Sequence, residues 1–119
     1  MATIQWERFG TLHYVGFISA VVSGVIHLVL GIQAVPSGLG IAFIFAGVMF
    51  FVGIAAVLYD RYTRRMYQLG IPFTAGQIVL WYLGNQPTIA GLLSSPAAIV
   101  DKLAQVTLIA VLILLLRRG

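Results

Sequence analysis

Five side chains in this sequence have the chemistry to do more than fill space: His27, Gln77, Trp81, Asp101 and Gln105. Each lies in a stretch that is otherwise almost wholly apolar. Gln77 and Trp81 are four residues apart, as are Asp101 and Gln105, so each pair falls on one face of a helix. An imidazole and a carboxylate brought together form a proton-linked pair, and the two carboxamides would line a small polar pocket beside them. A strongly polar group in hydrocarbon is costly and needs a partner or a purpose. The plainer purpose is structural: such side chains hydrogen-bond between helices and fix their register. His27 is expected to do this rather than catalyse. Asp101 and Lys102 also suit a helix start at a membrane surface, where Asp favours the first turns and Lys extends its ammonium towards water.

Most other chemistry is excluded. No phosphate loop, dinucleotide fingerprint, HExxH, GxSxG or paired-carboxylate pattern occurs. There is no cysteine, hence no disulfide and no thiolate ligand. The three acidic residues, Glu7, Asp60 and Asp101, are expected on both sides of a membrane and cannot converge. His13 and His27 share one helix face about 21 Å apart. Haem held by two histidines needs a second one on a facing helix, which only another subunit could supply. The expectation is a protein without catalysis, metal or cofactor.

The elements that position these residues follow from composition. Of 119 residues 61% are hydrophobic and only 8% charged, with a mean hydropathy of +1.03. A soluble domain carries about 25% charged residues, so this chain cannot dress a water-facing surface. It reads as a single transmembrane domain over residues 1–119, with the lipid bilayer as its first partner. The net charge of +4 does not point to nucleic acid, because the basic residues lie in short clusters between apolar runs.

No Asp, Glu, Lys or Arg occurs from Phe9 to Tyr59, a run too long for one span and right for two. The breakers Pro36-Ser37-Gly38-Leu39-Gly40 divide it, predicting helices over 9–34 and 39–59. The first of these is too long for the apolar core of a secretory signal, about 7–15 residues, and reads as a retained span. A second charge-free run, Met66 to Val100, predicts a helix over 64–84 with Pro72 inside it, where a kink is expected. The apolar residues 89–93 are too short to span and would lie at the interface. Ser95 as N-cap and Pro96 in the first turn then open a helix over 96–117. The fold class is all-α, an antiparallel four-helix transmembrane bundle.

Basic residues give the orientation. Arg8, Arg61, Arg64, Arg65, Arg117 and Arg118 fall on one side of a four-span chain and only Lys102 on the other, so both termini are expected in the cytoplasm. Small residues give the packing. Gly16, Ala20 and Gly24 recur every four residues in the first helix, and Gly38, Ala42 and Ala46 in the second. Such rows let backbones approach closely. The short connection favours the two rows facing each other; the alternative is that one row serves an oligomer.

Three stretches carry a family likeness: Leu12-His13-Tyr14-Val15-Gly16 through Val25-Ile26-His27-Leu28-Val29-Leu30-Gly31, then Gly70-Ile71-Pro72-Phe73-Thr74-Ala75-Gly76-Gln77-Ile78-Val79-Leu80-Trp81-Tyr82, and Asp101-Lys102-Leu103-Ala104-Gln105-Val106. With them the chain resembles a family of small, uncharacterised four-span membrane proteins of halophilic archaea. That resemblance implies an archaeal plasma membrane and no particular activity. The leading expectation is a protein that acts by association, as an accessory subunit or a homo-oligomer. The alternative is a small transporter or channel with its polar site at His27, Gln77, Asp101 and Gln105, in the outer half of the bundle.

Overall fold

A computed structural model describes residues 3–85 and 95–118, so the segment 89–93 expected at the interface lies outside the described residues. Four α-helices are present there: α1 Thr11–Ala34, α2 Gly38–Leu58, α3 Thr63–Asn85 and α4 Pro96–Arg117. A single 3-10 turn, Trp6–Arg8, precedes α1. Helix α1 starts two residues later than the sequence suggests, because Gly10 is extended and Phe9 folds inward to become buried. The Gly10 amide donates to Nδ1 of His13 at 3.1 Å, which caps the first turn.

The turns follow from local chemistry. Ser37 closes α1 and opens α2 at once. Its hydroxyl donates to the Ala34 carbonyl at 2.5 Å and accepts from the Gly40 amide at 3.1 Å. Between α2 and α3, Asp60 and Tyr62 take left-handed backbone (φ 53° and 57°), a conformation Asp tolerates better than an aromatic residue. Asp60 accepts the Thr63 hydroxyl at 2.6 Å where α3 begins. Arg8 fastens the same corner from outside, donating to the Val57 and Leu58 carbonyls at 2.9 and 3.3 Å. A cation there satisfies the open carbonyls and the negative end of the α2 dipole.

Helix α1 packs along both α2 and α4, α3 packs along α4, and α2 meets α3 only lightly. The centre is built from Ala20, Phe50, Leu108 and Leu112, with Ile54, Tyr67, Ile71 and Phe73 against them. Burial is inverted relative to a water-soluble protein. The largest fully buried side chains are Gln105, Thr74 and Ser23, while Ile18, Ile32, Leu39, Phe45, Leu80 and Leu103 are 63–70% exposed. An apolar exterior over a polar interior suits hydrocarbon as the solvent. Helices α1, α2 and α4 are long and apolar enough to cross a membrane. Helix α3 has the length, at 23 residues, but Gln68 and Gln77 and its aromatic end make it less apolar.

The two small-residue rows do not face each other as expected. A Cβ on Gly47 would fall 2.9 Å from the Gly24 carbonyl oxygen, and one on Gly31 would fall 2.9 Å from the Gly40 carbonyl oxygen. The seam therefore pairs Gly24 with Gly47 and Gly31 with Gly40, antiparallel and seven residues apart on each helix. Gly38 has open space where a Cβ would stand, Ala42 is exposed, and Gly16 abuts Val111 of α4 instead. The reason is angular. A step of four residues drifts about 40° round a helix, whereas a step of seven drifts about 20° the other way. A row at every fourth position thus winds from one neighbour to the next. Gly47→Leu should destabilise the bundle by about 1–3 kcal/mol through overpacking, with Gly76→Leu, where a Cβ meets open space, close to wild type, as read by unfolding in detergent. Equal effects of the two would refute the seam.

Candidate functional site

The five residues singled out by the sequence meet in one cluster. Helix α1 supplies Ser23 and His27, α4 supplies Asp101, Lys102 and Gln105, and α3 supplies Gln77 and Trp81. Helix α2 meets the cluster with rings: Phe43 and Phe50 stand 5.4 and 5.7 Å from the His27 ring, centre to centre.

The carboxylate is the hub. Ser23 donates to Asp101 Oδ1 at 2.6 Å, and Lys102 Nζ lies 2.9 Å from Oδ2. The same ammonium donates to Gln105 Oε1 at 2.9 Å and sits 5.0 Å above the Trp81 ring. Gln105 Nε2 donates to Gln77 Oε1 at 3.2 Å, and Gln77 Nε2 donates to the Phe73 carbonyl at 3.2 Å. Each carboxamide thus has one orientation that satisfies both ends. His27 Nδ1 lies 2.8 Å from the Ser23 carbonyl oxygen, which can only accept, so this nitrogen carries a proton. It is also 3.8 Å from Asp101 Oδ1.

Two of these partners escaped the sequence reading. Ser23 is not among the residues the sequence singles out, yet it lies four residues before His27 and so on the same face. Lys102 was expected to reach for water. Instead its side chain is 16% exposed and folds back onto its neighbour Asp101, itself 8% exposed. An ammonium leaves water only for charge-assisted partners, and here a carboxylate, a carboxamide oxygen and an indole face replace it. Asp101 and Lys102 are therefore not a surface pair. His13 stands apart near Arg8, so the two histidines share no site. Among the described residues no three His, Asp or Glu side chains could hold a metal ion together.

As chemistry, the cluster is a neutral and largely closed network. Asp101 and Lys102 cancel in charge and the amides run in one direction from α4 to α3. A model of a protein family, described as a family of unknown function (DUF7475), matches residues 4–116. The chain belongs to that family. The DUF7475 match takes in α1, α2 and α3 whole, α4 as far as Leu116, and every residue of the cluster. No curated protein and no solved structure matches the chain.

If the cluster is a tie, its charges must be coupled. Lys102→Met strands a buried carboxylate and should cost on the order of 3–5 kcal/mol of stability. Adding Asp101→Asn removes the stranded charge and should recover most of the loss. A double variant no more stable than Lys102→Met, measured by the same unfolding assay, would mean the pair is not coupled.

Proposed function

We propose that this protein is a four-span component of an archaeal plasma membrane, both termini cytoplasmic, which acts by association rather than by catalysis. It serves as an accessory subunit of a membrane complex or as a homo-oligomer. One observation carries this reading: Gly38 and Ala42, part of a small-residue row, stand on the outer face of α2, with open space at Gly38. Rows of that kind admit a second helix backbone at close range, and α2 is the least enclosed of the three apolar helices. The polar side chains of the cluster, in contrast, are turned inward and spent on one another. A surface of lipid-facing apolar groups with one row of small residues suits a helix partner better than a substrate.

The fourth span in this reading is α3, which lies along α4 over a similar length and bonds it through Gln77. The orientation rests on six arginines at one end of the bundle against Lys102 towards the other. The archaeal membrane rests on the sequence likeness quoted above.

In mild detergent the protein should run as an assembly larger than its 12.9 kDa chain, and Ala42→Phe should break that assembly into single chains. A lone monomer with no co-purifying partner would end the reading. The transporter reading, favoured by the buried carboxylate 3.8 Å from His27, would stand in its place if such a monomer carried proton flux in liposomes that His27→Ala reduced. Orientation has its own check, since the chain has no native cysteine. Ser37→Cys should react with a membrane-impermeant thiol reagent added outside intact cells, and Arg64→Cys should not. The opposite pattern would invert the topology.

A further inference from the structure

Six arginines gather at one end of the bundle, with only the side chains of Glu7 and Asp60 to oppose them. Arg8 is engaged, on the Val57 and Leu58 carbonyls and on Asp60. Among the described residues, the guanidinium groups of Arg61, Arg64, Arg65, Arg117 and Arg118 have neither a hydrogen-bond partner nor a carboxylate. The counter-charge for this end must come from outside the chain.

Two of these arginines line a cleft. It lies between the α2–α3 corner, the first turns of α3 and Leu115 of α4, and its volume is about 600 Å³. Ligand clefts span roughly 300–1,000 Å³. Arg64, Arg65 and Gln68 stand in its wall with the rings of Tyr62 and Tyr67. The one carboxylate there, Asp60, already faces Arg8 at 3.6 Å and accepts the Thr63 hydroxyl. The cleft is thus a cationic recess and not a balanced one.

Depth decides what reaches it. Arg64 and Arg65 directly precede the charge-free run that opens at Met66, and Leu115 stands just before Arg117 and Arg118. The cleft therefore straddles the line where apolar spans give way to charge. Tyr62, 73% exposed, is an amphipathic ring of the kind that settles at headgroup level. Basic pockets between helices at that level suit acidic headgroups.

We propose that this cleft is a binding site for the headgroup of an acidic glycerophospholipid. The phosphate lies between Arg64 and Arg65, whose planar guanidinium groups pair with phosphate oxygens two at a time. Gln68 meets the glycerol, and the tails run down the seam of α3 and α4 past Leu115. The site needs the bundle to lie in a bilayer, but not a particular direction of insertion. It is also independent of how the chain associates, because Gly38 and Ala42 lie at the opposite end of α2.

The test takes the full chain in neutral detergent and counts bound lipid by native mass spectrometry. Phosphatidylglycerol is the probe, and phosphatidylcholine, which has a phosphate but no net charge, is its counterpart. Phosphatidylglycerol should fill one site per chain, whether the chain runs singly or assembled, and phosphatidylcholine should not displace it at equal concentration. Arg64→Gln with Arg65→Gln should weaken that binding at least about tenfold, the scale of charge-assisted hydrogen bonds. Arg117→Gln with Arg118→Gln removes the same charge outside the cleft wall and should bind like wild type. All four side chains are exposed, so both double variants keep the fold. Equal loss from the two pairs would reduce the effect to general positive charge and overturn the site. Wild-type binding by the Arg64 and Arg65 pair, or equal binding of phosphatidylcholine, would overturn it as well. Displacement of the lipid by inorganic phosphate at matched concentration would make the occupant a soluble anion, and the lipid assignment would fall.

Discussion

Hydrocarbon returns no hydrogen bond to a polar group, and that constraint orders the bundle. Asp101 is 6% exposed, and Lys102 places its ammonium against the carboxylate from the next residue. The remaining donors and acceptors are then passed on, from Lys102 to Gln105 to Gln77 and from Asp101 to Ser23. The consequence reaches α3, the least apolar of the four helices. Gln77 and Trp81 lower its hydropathy, yet they are the side chains that hold it against α4. Helix α3 is held by Gln77 and Trp81 towards one end and by Tyr67, Ile71 and Phe73 against the apolar core towards the other.

Helix α1 is the element through which the other contacts pass. Its buried positions are Gly16, Ser19, Ala20, Ser23, Gly24, His27 and Gly31, a strip in which every member but His27 is small. The strip is divided by angle. Gly24 and Gly31 let the α2 backbone approach, while Ser23 and His27 turn towards Asp101. Close approach of two backbones gives dispersion contact along the whole seam. A single histidine in that strip fills the space left between α2 and α4, its ring packed against Phe43 and Phe50. Packing and polar satisfaction are thus met by alternate residues of one helix.

Much of this was legible beforehand. Charge-free runs and the breakers at Pro36 to Gly40 set the helices to within a residue or two, since hydrophobic length and turn chemistry are local properties. Convergence of His27, Gln77, Trp81, Asp101 and Gln105 followed from their similar depth and their spacing of four. What could not be read was angle. Whether Gly24 faces α2 or α4 depends on how each helix is rotated, and rotation is settled by all contacts together. Lys102 was misread for a related reason: snorkelling and folding back cost the same stem, and the choice turns on Trp81 from another helix.

The Arg8 contacts at the other end of the bundle have a different physical character. Arg8 reaches Asp60 at 3.6 Å with side chains 26% and 64% exposed, so this pair stands in solvent. At about 1 M salt the screening length falls to roughly 3 Å, and an exposed ion pair of that kind loses most of its attraction. Asp101 and Lys102 lie too deep for dissolved ions to reach. Ionic strength is therefore a variable felt by one end of the molecule and hidden from the other, and the bundle is held by electrostatics of two kinds, one tunable by the medium and one set by the fold.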